Sequence, residues 1–143
     1  MAIEKFGSAK WSGGLKDGKG AISTESGALK EHPYGFKTRF EGVAGSNPEE
    51  LIGAAHAACF TMALSKALGD AGFTAESLET KAKVTLSQTD GGFEISGIAL
   101  SLTGSVPGTD EATFKRIAEE AKVGCPVSKA LKAVPITLET TFR

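Results

Sequence analysis

A helix start is spelled out residue by residue near the middle of this 143-residue chain, and it constrains everything around it. Asn47-Pro48-Glu49-Glu50 sets an N-cap asparagine before a proline at the first helical position. Glu50 then falls at the third helical position, where its carboxylate can bond back to the cap's N–H as a capping box. That occupies Glu50 locally and leaves Glu49 free to point elsewhere. The pattern predicts a helix running to about Asp70, with Gly72 ending it. Its alanines, Ala54, Ala55, Ala57 and Ala58, carry little bulk, so another helix can approach closely. The longest apolar stretch, Leu51 to Leu64, is shorter than the roughly 20 residues a membrane crossing needs, and it contains His56.

Strands and turns precede this helix. Trp11 and Gly13-Gly14 close a first extended segment, Asp17-Gly18-Lys19-Gly20 is turn chemistry, and Ala21-Ile22-Ser23 predicts a short strand. Residues 33–41 alternate with period two, Phe36, Thr38 and Phe40 on one face and Lys37, Arg39 and Glu41 on the other, which predicts a third strand. Downstream, Leu78 to Leu86 and Phe93 to Leu102 read as a hairpin turning at Asp90-Gly91-Gly92. Thr109-Asp110-Glu111 opens a second amphipathic helix ended near Gly124, Pro126 starts a short third one, and Ile136 to Phe142 is a terminal strand. The predicted order is βββ-α-ββ-αα-β, an α+β arrangement rather than a doubly wound sheet. The length suits a single domain over residues 1–143, without internal repeat or linker.

Charge narrows the function. A net charge of −1, with no Lys/Arg cluster, argues against a nucleic-acid partner. The start, Met1-Ala2-Ile3-Glu4-Lys5-Phe6, lacks the charged and apolar regions of a signal peptide, so a cytosolic protein with no membrane partner is expected. In that compartment cysteines stay reduced unless they do redox work.

The chain has two cysteines, Cys59 and Cys125, sixty-six positions apart (125 minus 59), and neither belongs to a CxxC pair. Cys59 sits in Ala54-Ala55-His56-Ala57-Ala58-Cys59-Phe60, where the default reading is a small buried hydrophobe. Cys125 lies in Gly124-Cys125-Pro126-Val127-Ser128 at a helix start, a position that itself lowers a thiol pKa. Local evidence therefore leaves open which cysteine attacks first. Arg39 reads by default as a solvated strand charge, and Glu49 as a first-turn acid complementing the helix dipole. His56, one turn before Cys59, invites a Cys–His acyl-transferase or hydrolase reading. His32, before Pro33, reads as a loop residue. The histidines and cysteines lack the close pairing of a zinc site. Phe36, Leu51, Phe60 and Met62 read as core, with one or two able to line an apolar pocket.

Taken together, Asn47-Pro48-Glu49-Glu50-Leu51, the Ala54–Phe60 run and Gly124-Cys125-Pro126 resemble the OsmC/Ohr family of thiol peroxidases. The glycine-rich N-terminal strands ending in Thr38-Arg39-Phe40 place the resemblance nearer the OsmC branch. It covers essentially the full length. It implies an OsmC-like fold in which a long central helix packs between antiparallel sheets of an intertwined homodimer, with sites at the interface. It implies a peroxidase that prefers organic hydroperoxides to hydrogen peroxide, with Cys59 peroxidatic, Cys125 resolving, and Arg39 and Glu49 completing the site. The implied reductant is a dithiol such as a lipoylated protein, with no metal, haem or other cofactor. His56 lies outside that set and is left as a packing or polar contact.

The chemistry explains the residue types. Only a thiolate attacks the O–O bond, and a free cysteine is mostly thiol at neutral pH. A guanidinium beside Cys59 favours the anion and stabilises the leaving alkoxide. A carboxylate fixes the guanidinium's planar fork. The sulfenic acid formed first is open to over-oxidation, and a second thiol traps it as a disulfide that external dithiols reopen. Glu49 precedes Cys59 by ten helical residues, about 15 Å of rise, so the expected geometry is two helices crossing antiparallel, with Arg39 and Glu49 serving the partner's Cys59. The rival readings are the Cys59–His56 acyl-transferase and a non-enzymatic dimeric binding module whose cysteines merely pack.

Overall fold

Turns rich in glycine and a reciprocal cap at Asn47 divide the chain into the elements the site is built from. The structure, a computed structural model, describes residues 1–143. Two compact units emerge, Met1–Leu51 and Ile52–Arg143.

In the first unit β1 (Gly7–Ser12), β2 (Lys19–Thr24) and β3 (His32–Tyr34) form an antiparallel sheet in the order β1-β2-β3. Gly20 pairs with Trp11 on one side and Tyr34 on the other, and those two rings lie 5.6 Å apart across it. A Cβ at position 20 would collide with both rings, so only glycine lets them meet over the strand.

The third predicted strand is not a strand beyond Tyr34. Residues Phe36–Phe40 form a short helix, α1. The period-two pattern of 36–41 is overridden locally. The Thr38 hydroxyl accepts from the Gly35 N–H (2.9 Å) and donates to the Gly35 carbonyl (3.0 Å), closing a helical turn. Phe36 and Phe40, four residues apart, then stack with centroids 5.0 Å apart. Arg39 is accordingly a helix residue, not a strand one.

Helix α2 (Pro48–Asp70) begins where the sequence predicts. The Glu50 N–H donates to Asn47 Oδ1 at 2.8 Å. The return bond differs from expectation, because the Glu50 carboxylate accepts from the Asn47 side-chain amide rather than its backbone N–H. The same amide reaches the Thr38 carbonyl at 3.2 Å, tying α1 to the start of α2. Gly72 follows the helix at φ +91°, a left-handed exit that favours glycine.

The second unit holds most of α2 together with β4 (Ser77–Thr89), β5 (Gly92–Ser105), α3 (Glu111–Gly124), α4 (Pro126–Ala130) and β6 (Ile136–Phe142). Its sheet runs β4-β5-β6. Here too an expectation changes: β4 and β5 are antiparallel, but β6 joins β5 in parallel, so the sheet is mixed. The reason is topological. The α3–α4 excursion carries the chain back from the end of β5 to the level of Ile98, and a strand that enters there beside Ile98 and leaves beside Gly104 runs parallel to β5. The observed order is βββ-αα-ββ-αα-β, still α+β.

At 23 residues α2 is longer than its apolar stretch, and by length and composition it could cross a membrane. In the fold it is the core helix of this unit. Phe60, Leu64 and Leu68 are fully buried and pack with Ile98, Leu100 and Leu102 of β5 and with Phe114, Ile117 and Ala121 of α3. Gly53 marks its close approach to β4, where a Cβ would lie 3.3 Å from the Ala82 carbonyl oxygen. On the other side of α2, Ala54, Ala58, Met62, Ser65 and Gly69 stand exposed in a line at helical spacing.

Candidate active site

Proline at the first position of α4 fixes where that helix begins and makes Cys125 its N-cap. The Ser128 N–H donates to Cys125 Sγ at 3.3 Å, as a serine or aspartate oxygen would accept in a commoner cap. Cys125 is fully buried; Cys59, half-buried on α2, is its hydrogen-bonding neighbour. The Val127 N–H faces both sulfurs. The fold thus joins two thiols remote in sequence, and both are free. Beside them opens a largely apolar groove of about 510 Å³, bordered by Cys59, Met62, Ala63, Ala67, Ala121 and Pro126. Met62 therefore lines this groove, while Phe60 is core as expected.

The two thiols differ in acidity. Burial pushes the Cys59 thiol up, the Val127 amide pulls against it, and the neighbouring Cys125 adds to the rise. Burial also works against ionisation of Cys125. Hydrogen bonds from the Ser128 hydroxyl and amide, the Cys59 thiol and the Val127 amide outweigh it and hold Cys125 below the usual thiol range. Within one chain these contacts favour ionisation of Cys125 over that of Cys59.

His56 does not pair with Cys59. It is completely buried, and its Nε2 lies 2.7 Å from Ser128 Oγ. Its Nδ1 has no partner, and burial lowers its pKa below the ordinary value, keeping it neutral. Ser128 is the residue that sequence reasoning passed over. It stands three residues after Cys125 in the quoted run, the spacing at which a capping side chain meets a helix N–H, and that spacing was the available signal.

Arg39 and Glu49 meet through a two-pronged ion pair, Nε to Oε1 at 2.9 Å and Nη2 to Oε2 at 3.0 Å. Glu49 is 12% exposed and Arg39 38%. At that exposure the pair adds at most about 1 kcal/mol to stability. Its main effect is geometric, holding the guanidinium plane in one orientation. Glu49 reaches Arg39 because Glu50 is engaged by Asn47, the division of labour the helix start predicts. His32 lies in β3, paired with Ile22, and takes no part.

Residues 41–139 match the family model described as OsmC-like protein. The chain is 60% identical over 139 residues to Peroxiredoxin OsmC of Escherichia coli (strain K12), covering 97% of this chain and 96% of that one. It is 30% identical over 122 residues to the organic hydroperoxide resistance protein OhrB of Bacillus subtilis (strain 168), covering 84% and 88%. Its fold superposes on the solved structure of an organic hydroperoxide resistance protein from Elizabethkingia anophelis with a TM-score of 0.73 at 26% identity, covering 100% of both chains. On the match to the family model and to these near full-length relatives, the chain belongs to the OsmC family.

Proposed function

We propose that this protein is a thiol-dependent peroxidase that reduces organic hydroperoxides, and hydrogen peroxide less well, to alcohols or water. The observation that carries the reading is the neighbouring pair of free thiols, Cys59 and Cys125, beside an apolar groove. The names of the relatives, a peroxiredoxin and organic hydroperoxide resistance proteins, support it.

Cys59 is the more accessible thiol and the one bordering the groove, which suits it to meet the peroxide. Its thiolate attacks the terminal oxygen. The S–O bond forms, the O–O bond breaks, and the alkoxide takes up the proton that Cys59 had passed to Cys125. The Cys125 thiolate then attacks the Cys59 sulfenic sulfur, forming the disulfide and releasing hydroxide, which is protonated to water. An external dithiol, such as a lipoylated protein, restores both thiols by exchange.

Attack by Cys59 is helped by a group outside its immediate surroundings that favours its anion, since the contacts within one chain favour ionisation of Cys125. Arg39, oriented by Glu49, is the group we assign. Ten residues of α2 separate Glu49 from Cys59, about 15 Å of rise, which favours delivery from a second copy. The exposed line Ala54, Ala58, Met62, Ser65 and Gly69 gives α2 a flat side on which the α2 of a second copy can lie. The working unit on this reading is a homodimer of single-domain chains over residues 1–143, in a reducing, cytosolic compartment. The acyl-transferase alternative is disfavoured, because the hydrogen bond of His56 goes to Ser128 through Nε2 rather than to Cys59.

Mass spectrometry after one equivalent of cumene hydroperoxide tests the reading. The wild type should form an intrachain Cys59–Cys125 disulfide, and Cys125→Ser should stop at sulfenic acid. Two unreacted thiols after peroxide addition would refute it.

A further inference from the structure

Ser128 has one hydroxyl proton and two neighbours, His56 Nε2 at 2.7 Å and the Cys125 sulfur, so the direction of each bond can be worked out. If His56 carried its proton on Nδ1, a buried N–H would be left without an acceptor, and the serine proton would go to Nε2 rather than to sulfur. With the proton on Nε2, His56 donates to Ser128, Ser128 is free to donate to Cys125, and the unmet atom is a lone pair, the lesser cost. The second arrangement gives a directed chain from α2 to α4: His56 Nε2–H to Ser128 Oγ, and Ser128 O–H to Cys125 Sγ. The Ser128 amide donates to the same sulfur at 3.3 Å. The chain ends on Cys125 and does not touch Cys59, the thiol that meets the peroxide.

We propose that His56 and Ser128 are positioning residues for the second half-reaction, holding Cys125 as a hydrogen-bonded thiolate aimed at Cys59 so that it closes the disulfide. The inference rests on the peroxidase reading with Cys125 as the resolving thiol. The step balances without further reactants: the S–S bond forms, the S–O bond of the Cys59 sulfenic acid breaks, and hydroxide leaves. The serine's donated bond keeps the Cys125 anion available after its proton has gone to the alkoxide. His56 cannot rotate away, since it is completely buried in the second unit.

Other groups near Cys125 do not substitute. On α2 the titratable neighbour besides His56 is Cys59; Lys66 and Asp70 are exposed and paired with each other at 2.7 Å. On α3 Glu120 is exposed and paired with Arg116 at 3.0 Å. Lys129 of α4 is exposed, and the β5 residues sharing its cluster, Ile98, Leu100 and Leu102, are apolar.

The test separates the two half-reactions. Purified wild type, Ser128→Ala and His56→Gln are mixed rapidly with stoichiometric cumene hydroperoxide across pH 5 to 9. Cys59 oxidation is read by dimedone trapping and disulfide closure by loss of two mass units. Ser128→Ala should oxidise Cys59 within about twofold of the wild-type rate. It should close the disulfide about tenfold more slowly, with the closure profile displaced to higher pH. His56→Gln, which keeps an N–H near the Nε2 position, should close within about threefold of wild type. As a second measurement, thiolate absorbance in a Cys59→Ser background should show Cys125 ionising at higher pH once Ser128 is alanine. Closure by Ser128→Ala with the wild-type rate and pH profile overturns the inference, as does a folded His56→Gln as slow as Ser128→Ala. A wild type that forms no disulfide would instead sink the peroxidase reading itself.

Discussion

Cys59 and Cys125 are neighbours that share one backbone amide, that of Val127, yet their acidities are driven in opposite directions. The fold of a single chain makes the deeper cysteine the better anion. A peroxidase that begins at the shallower one gains from a positive charge brought in from outside the pair.

Replacing Arg39 by alanine should lower kcat/KM for cumene hydroperoxide about 100- to 1,000-fold, the usual loss when a charge-stabilising donor is removed. Its pH–rate profile should move to higher pH, because Cys59 loses its stabilising cation. Stopped-flow peroxide consumption from pH 5 to 9 measures both. An unchanged profile would separate Arg39 from the thiol.

Mixed dimers report where that charge comes from. Cys59→Ser and Arg39→Ala variants, each inactive or nearly so alone, should recover up to about half the wild-type activity per mixed dimer after subunit exchange, since one of its two sites then receives an intact thiol and an intact arginine. Activity that stays absent after exchange is proven by native mass spectrometry would place Arg39 in the same chain as the cysteine it serves.

The exposed side of α2 can be blocked directly. Ala58→Arg inserts a long charged side chain into a row of small residues without touching the buried side. Sedimentation should show monomers, and peroxidase activity should fall at least tenfold while far-ultraviolet circular dichroism is retained. A fully active monomer would refute the two-copy site.

His56 gives stability a pH dependence of known sign. Burial lowers its pKa in the folded chain, whereas the unfolded chain takes up a proton at about 6.5. The unfolded state then binds more protons, so the contribution is intact above about pH 6.5 and is lost as pH falls from there through the folded value. Urea midpoints should fall between pH 7.5 and pH 5, and less steeply in His56→Gln. Parallel slopes in the two proteins would remove His56 as the cause.

What could be read from the sequence depended on whether the signal was local. Asn47-Pro48 and Asp110 announce their helices because a cap is a contact between residues three apart, and the Asp110 carboxylate does accept from the Thr113 N–H at 2.7 Å. The β4–β5 hairpin was equally legible from alternation about a glycine turn. Residues 36–40 misled because two phenylalanines and a threonine satisfy either period, and the deciding contact, the Thr38 hydroxyl on Gly35, uses a residue with no side chain. The parallel pairing of β6 was invisible because strand direction depends on where α3 and α4 deliver the chain. For the site, the cysteines were legible through the family pattern, but the His56–Ser128 bond spans seventy-two positions and leaves no periodic trace.

The placement of the thiols at residues 59 and 125 has a thermal corollary. Bridging them encloses β4, β5 and α3 in a covalent loop whose closure restricts the unfolded chain, worth about 4 kcal/mol for a ring of this size. Oxidised molecules should outlast reduced ones under heat or proteolysis. A population deprived of electron donors would persist as a hardened reserve, restored to work when reducing power returns.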